Sequence, residues 1–506
     1  GGGASGPAAP VIVTAPTPQE VLVGEVATYT VTATGAGLTY RWQLGVEDVP
    51  GATGASYTTP AATLDHDGRS YRVVVSNAAG SVTSAAARLT VRPNITPVRA
   101  TPWVEGGGST AWALKADGTV WAWGTNMFGQ LGQGHTRDSL VPVGVRDPTG
   151  AGLLDRVVKL SASGGHALAL RDDGTVWAWG TTNAIGAVQG GDQMTLLPVQ
   201  VAGVGGAGVL TGVVDVSAGF GVSAAVLSDG TVVAWGDNSH GAAGTGFIAD
   251  GAFTPATVWF PNPVAGAAGV VQVSAANHRV LARRADGTVL SWGANPNGEL
   301  GRVTGDTATP GPVGGVSSAV RVVAGERTSA AILADGSARV WGVHGYSGGG
   351  EACQELTTTT PVAIPRPAGT AGTFAALAPL WPATLLAYDG KLLHNGRAPD
   401  DLPSGRCTGG LAEVPGLAGV VGAARYGGWS GFAWTRDGKV WSFGDNSLGE
   451  LGLGHADAVT GVHEVPGFNL LGAADAGQVA FFTDFDTAVP LEVAPSAVAA
   501  RTPVQG

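Results

Sequence analysis

Residues 117–124 read DGTVWAWG, and residues 173–180 read DGTVWAWG again, 56 positions later. Looser copies follow: SDGTVVAWGDNSHG from 228, ADGTVLSWGANPNGELG from 285, ADGSARVWGVHG from 334, YDGKLLHNG from 388 and RDGKVWSFGDNSLGELGLG from 436. The residue before the closing glycine is Trp123, Trp179, Trp235, Trp292, Trp341, Asn395 and Phe443, at spacings of 56, 56, 57, 49, 54 and 48. Seven copies at a period near 50 residues signal an array of one supersecondary unit.

Each unit has one grammar: an apolar run such as HALAL (166–170), an Asp-Gly pair, then a segment like TVWAWG. The β-branched and aromatic residues suit strands, and Asp-Gly predicts a hairpin closed by a two-residue primed turn. Both faces of TVWAWG are apolar, so each sheet must be covered on both sides, which radial stacking of four-stranded blades achieves. Glycines after the Trp-Gly pair (Gly124, Gly129, Gly132, Gly134 in the first unit) lead through tight bends into a last strand, often VPV. The expected fold is all-β, with a seven-bladed β-propeller over 103–495 and a tail over 496–506. The segment LLGAADAGQVAFFTDFD (470–486) reads as a half-repeat that closes the ring or lies beside it.

Composition agrees with many short strands and tight turns. The 506 residues include 83 glycines and 30 prolines, yet 44% are hydrophobic, which separates this chain from disordered ones. At this length a single core is not expected. The net charge is −11 and the only lysines are Lys115, Lys159, Lys391 and Lys439, so no basic run exists to dock on nucleic-acid phosphates. No stretch has the roughly 18 apolar residues of a membrane-spanning helix. The opening GGGASGPAAP, without Met or signal peptide, reads as the flexible leader (1–9) of a trimmed product, compatible with a lipid tether upstream.

The pattern VSAG, HALAL, DGTVWAWG, N, GQLG, G resembles the regulator of chromosome condensation repeat, which builds seven-bladed propellers. The resemblance covers about residues 100–466. Units one, two and seven match well, and the sixth departs most, with LLHNG where Trp-Gly is expected. Residues 10–93 differ in kind: VLVGEVATYTVTATGAGLTYRWQLG and DGRSYRVVVSNAAGSVTSAAARLTV alternate at sandwich spacing. They resemble the cysteine-free immunoglobulin-like β-sandwich modules of bacterial surface proteins. That resemblance makes Trp42 the core tryptophan and Tyr71 a tyrosine-corner residue, with Val73 where a bridging cysteine would stand. Residues 94–102 form the linker.

Motifs with catalytic associations fail on context. GYSGG (345–349) fits the nucleophile-elbow pattern but follows VWG in a glycine-rich bend, and GVGGAG (203–208) precedes no helix that could receive a pyrophosphate. The nine histidines lack ligand spacing; His135 and His455 share one slot in units one and seven, and two imidazoles do not fill a zinc shell. No catalytic residue, metal or cofactor is expected. Cys353 and Cys407 each lie eleven residues after the unit glycine, Gly342 and Gly396, so a disulfide between adjacent loops is expected, with buried thiols as the alternative.

The bend before the HALAL-type strand varies between units. Units one and two place Gly107, Gly108, Gly164 and Gly165 there; later units place Phe220, Asn277 and His278, Glu326 and Arg327, Trp381, then Tyr426 and Trp429. Equivalent loops of a propeller share one face, so these residues should form an arc with the composition of interface anchors. Trp381 and Trp429 could instead fold inward to plug the channel. The expected role is a secreted or surface-tethered bacterial binding or adhesion protein that holds a protein or glycan partner on this face. An inhibitor of an extracellular enzyme, resembling the propeller-type β-lactamase inhibitory protein, and a self-assembling subunit of a surface layer or filament are the alternatives. The family's chromatin docking and nucleotide exchange do not carry over without a basic tail.

Overall fold

The computed structural model describes residues 7–22, 25–62, 66, 68–92, 100–181, 184–187, 194–249, 257–347, 354–366, 372–380, 383–397, 407–426 and 430–472. The chain divides into two compact units, 1–97 and 98–506.

In the first unit, strand Thr39–Leu44 pairs with Ser70–Asn77, which pairs in turn with Ala87–Arg92, and Gln19–Leu22 adds in parallel. Trp42 lies opposite Val73, and both are fully buried. The Trp42 indole donates to the Gly54 carbonyl at 2.9 Å. Tyr29, Tyr57 and Tyr71 crowd around it, with Tyr29 and Tyr71 ring centroids 5.0 Å apart.

The second unit holds seven four-stranded antiparallel sheets among its described residues, spanning 103–144, 157–200, 213–263, 270–312, 319–363, 374–413 and 420–469. We call these blades 1 to 7 and their strands a to d in chain order. The a strands of successive blades touch, and strand a of blade 1 (Trp103–Gly107) also touches strand a of blade 7 (Val420–Tyr426), so the a strands encircle an axis. The ring closes within residues 103–469; residues 473–506 lie outside the described residues. Apart from the three-residue turn Val204–Gly206, the described elements of this unit are strands.

The expected primed turn needs correction. In six blades only the glycine of the Asp-Gly pair takes positive φ (Gly118 +80°, Gly174 +76°, Gly230 +81°), while its amide bonds back three residues, as Gly118 does to the Lys115 carbonyl at 3.0 Å. This is a type I turn followed by a left-handed glycine, the longer hairpin loop. The Asp caps it: Asp117 Oδ1 accepts from the Thr119 amide at 2.9 Å and hydroxyl at 2.6 Å. Only blade 6, at Asp389 (φ 49°) and Gly390 (φ 73°) between Tyr388 and Lys391, has the two-residue form.

The repeated tryptophan joins blades. Each indole Nε1 donates to a carbonyl in the loop between strands c and d of the preceding blade: Trp179 to Gln130 (2.8 Å), Trp235 to Ala184 (2.7 Å), Trp292 to Ala242 (2.9 Å) and Trp341 to Glu299 (2.7 Å). Trp123 donates to Glu450 at 3.0 Å and so joins blade 1 to blade 7. All five are fully buried. Burying roughly 150–250 Å² of ring is worth about 4–6 kcal/mol, against about 1 kcal/mol net for the hydrogen bond. Burial therefore supplies the strength and the bond sets the orientation. The loop glycine must stay bare: a Cβ on Gly186, Gly301 or Gly452 would sit 2.7, 2.9 or 2.9 Å from the incoming indole nitrogen. Nearer the axis, Ser161, Ser217 and Ser274 each accept the amide of the following blade, from Ala218, Ala275 and Ala324, at 2.9–3.0 Å.

Blades 6 and 7 break this rule, with Asn395 and Phe443 in the tryptophan slot. Blade 5 compensates with long strands c and d, Ala338–Ser347 and Gln354–Ala363; strand c contacts all four strands of blade 6. Phe443 keeps the burial without the N–H, packing with Leu385 and Leu392 of blade 6.

Trp123→Phe is expected to lower the unfolding free energy by about 1–2 kcal/mol, because it leaves the Glu450 carbonyl without its donor at the ring closure. Chemical denaturation measures it, and Trp121→Phe is the control for loss of a tryptophan. His166 gives a second test. It is buried, shares a 2.9 Å hydrogen bond with Ser223 Oγ, and burial pushes its pKa down to about 4. The unfolded chain takes up this proton near pH 6.5 and the folded one only near 4, so stability falls between those values by up to about 3 kcal/mol. His166→Val, the residue blade 3 carries there as Val222, is expected to remove that part of the acid destabilisation.

Candidate binding face

The a–b turns and c–d loops emerge at the same end of every blade, because strands a and c both run toward it. A buried asparagine builds each regular c–d loop. Asn126 donates to the carbonyls of His135 (2.7 Å) and Arg137 (2.9 Å) and accepts from the Leu131 amide (2.9 Å); Asn238, Asn295 and Asn446 repeat the arrangement. His135 and His455 serve their own loops, each accepting at Nδ1 the amide two residues on, at 3.2 Å. Among the described residues no group of three or more His, Cys, Asp or Glu could hold a metal ion.

The structure brings together the part of the expected arc that lies on blades 3 to 5. Phe220, 56% exposed, leans over Gly164 of blade 2, where a Cβ would come within 2.9 Å of its ring. Its other side meets His278 of blade 4, ring centroids 5.6 Å apart and edge-on. Asn277 and His278 form the two-residue turn between Val270–Ala276 and Arg279–Arg284 with φ of 39° and 62°, the left-handed region that glycine fills at Gly108 and Gly164. Holding a histidine there costs about 1 kcal/mol. Asn277 Nδ2 donates to the Glu326 carbonyl at 3.1 Å, which links the turn to blade 5. Glu326 is exposed, and Arg327 reaches Asn297 Oδ1 at 3.5 Å.

Beneath these turns lies Arg279, fully buried, donating to the carbonyls of Gly325, Glu326 (3.1 Å) and Thr328 (3.3 Å). Burial pulls its pKa down to about 10, against the opposing pull of Glu299 and Glu326, so it stays charged near neutral pH and pins the blade 5 turn.

His240, absent from the expected arc, completes it. Its ring centroid lies 5.2 Å from that of His278, and its Nδ1 meets Asp306 Oδ2 at 2.7 Å. Burial lowers the His278 pKa; Asp237, 3.9 Å away, opposes this, while His240 and Arg279 add to the lowering. His240 sits two residues before the carbonyl that accepts Trp292, and the same slot holds Phe128, Asn297 and Leu448 in blades 1, 4 and 7. The variation of this slot from blade to blade, like that of the a–b bends, is the signal in the sequence that marks it. Phe128 and Leu448 are exposed too, at 37% and 46%. Trp381 and Trp429 lie outside the described residues, as does Cys353 and hence the expected disulfide; Tyr426 ends strand a of blade 7 and Cys407 begins strand d of blade 6.

Family models for the "Regulator of chromosome condensation (RCC1) repeat" match residues 117–170, 213–242 and 286–332. The chain contains RCC1 repeats. Its structure is similar to that of yeast RCC1 (Prp20), solved bound to Kap60, with a TM-score of 0.57 and 20% identity over 70% of this chain and 84% of that one. This likeness shows the fold. Among curated proteins, E3 ubiquitin-protein ligase HERC2 of Homo sapiens is 30% identical over 205 residues, 40% of this chain and 4% of HERC2. Endoglucanase C of Cellulomonas fimi is 38% identical over 154 residues, 28% of this chain and 14% of that protein. The matches thus span small fractions of those two proteins. Among the described residues, no helix is long and apolar enough to cross a membrane.

His278→Gly is expected to raise stability by about 0.5–1 kcal/mol, since glycine takes the left-handed turn without strain. Thermal or chemical unfolding at pH 7 measures it. No gain would mean that the contacts with Phe220 and His240 outweigh the backbone cost.

Proposed function

We propose that this chain is a non-catalytic binding protein that holds a protein partner on the loop end of propeller blades 3 to 5. The observation that carries the reading is the row Phe220, His278 and His240: exposed or half-buried rings in mutual contact, fixed from below by Arg279, with one member kept in a strained turn. Rings held rigid at a surface give large contact area at low entropic cost. The neighbouring Glu326 and Arg327 supply charges of both signs for orientation.

The resemblance of residues 10–93 to modules of bacterial surface proteins favours a location outside the cell, secreted or tethered at a bacterial surface, with the module as spacer. Adhesion then requires only that the face meet its partner. A glycan partner, inhibition of an extracellular enzyme and assembly into a surface layer are the competing outcomes.

Affinity capture with the full chain, followed by mass spectrometry, should recover a protein partner. Phe220→Ala with Arg327→Ala is expected to weaken its binding at least tenfold, whereas Val204→Ser, in a turn at the opposite end of the blades, should leave it unchanged. Equal capture by all three folded proteins would place the interface elsewhere. Capture of glycans alone would replace the protein partner.

A further inference from the structure

The a strands that frame the axis carry a matched tier of side chains: Lys159 in blade 2, Asp215 in blade 3, Gln272 in blade 4 and Arg321 in blade 5, level with Trp103 in blade 1. Most of this tier is mutually satisfied. Lys159 pairs with Asp215, whose second oxygen accepts the Val273 amide at 2.8 Å. Gln272 accepts the Val322 amide (3.0 Å) and Arg283 Nε (3.3 Å), and donates to the Val322 carbonyl (3.1 Å).

Two groups stand apart. The Arg321 guanidinium reaches across the axis from blade 5 to lie 4.5 Å over the Trp103 ring of blade 1, and makes no hydrogen bond among the described residues. Glu105, two residues after Trp103, accepts from Ser161 Oγ at 3.3 Å through Oε1, while Oε2 is buried without a partner. Each feels the other's charge, yet they form no ion pair. Burial raises the Glu105 pKa to about 7, with Lys159, hydrogen bonds from the Ala162 backbone and Ser161, and Arg321 restraining the rise, so the carboxyl exchanges its proton near neutrality. Lys159 and Ser161 face Glu105 from blade 2 and Arg321 from blade 5; Asp215 and Arg283 lie one step further, around Lys159. Blades 6 and 7 bring only Ala376, Ala378, Gly422 and Ala424 to these heights, so none of their side chains there competes for the two free groups. A buried carboxyl oxygen without a partner, and across the axis a half-buried guanidinium held only by a ring face, leave room for a bridging molecule.

The geometry points to an oxyanion site on the propeller axis, in which a small carboxylate or phosphate bridges the Arg321 guanidinium and the Glu105 carboxyl. Arg321 offers a planar fork suited to two oxygens of one anion, and protonated Glu105 adds an O–H donor. Ionised Glu105 repels the same anion. Binding therefore weakens as pH rises through 7. The site is separate from the loop face and stands or falls independently of it.

Isothermal titration of the full chain with sodium acetate, and separately with inorganic phosphate, at pH 6 and pH 8 tests this. At pH 6 at least one anion should bind saturably at one site, and which one binds distinguishes carboxylate from phosphate. The affinity of the wild type relative to Glu105→Gln should fall about tenfold from pH 6 to pH 8, as a group titrating near 7 requires. Arg321→Met should abolish binding. Should that variant fail to fold, Arg321→Lys, which keeps the charge and loses the fork, should bind about tenfold more weakly than wild type. Absence of saturable binding of either anion at pH 6 overturns the site, as does wild-type affinity in the Arg321 variants or a wild-type-to-Gln ratio that ignores pH.

Discussion

The propeller depends on one repeated contact: a buried indole whose N–H reaches a loop carbonyl of the blade before it. A four-stranded blade with two apolar faces is insoluble alone, and hydrophobic covering by neighbours is non-directional. The indole bond supplies direction. It admits blades 1 to 5 each at one height and angle, because the ring must end on one carbonyl oxygen and, at Gly186, Gly301 and Gly452, pass a glycine that tolerates no Cβ. Trp123 makes the same contact backward, from the first blade to the last, and turns a stack into a ring.

That contact also links core to surface. The acceptor carbonyls of Gln130, Ala242, Glu299 and Glu450 belong to the loops whose outer positions, two residues earlier, are Phe128, His240, Asn297 and Leu448. A loop held from below by an indole and from within by a buried asparagine can vary its tip without losing its shape. Variation of side chain on an invariant frame is what a recognition surface requires. Blades 6 and 7 surrender the indole, and the long strands of blade 5 and the packing of Phe443 stand in for it.

Blade number and strand order were legible because a unit period of 48–57 residues leaves little other architecture open. The turn type was not, since Asp-Gly suits both a primed turn and a type I turn with a left-handed glycine. The choice rests on whether two or more residues separate the paired strands, as Tyr388 and Lys391 show against Leu114 and Val120. The purpose of the repeated tryptophan was hidden as well: its partner lies 49 residues away for Trp179 and 327 for Trp123. Phe220, Asn277, His278, Glu326 and Arg327 could be read as neighbours because their bends occupy one register. His240 enters from the c–d loop of the preceding blade, so its signal lies in the register of those loops and not in that of the bends, and the axial pairing of Arg321 with Trp103 crosses blades that no local pattern connects.

Hydrogen exchange of the tryptophan indole N–H groups, followed by NMR on ¹⁵N-labelled protein, tests the account most directly. The indoles of Trp123, Trp179, Trp235, Trp292 and Trp341 should exchange only through global unfolding, with equal free energies and with Trp123 as protected as the rest. Exchange of the Trp123 indole at the rate of an exposed tryptophan, in protein whose other four remain protected, would mean that the ring is not closed by this contact and would contradict the account.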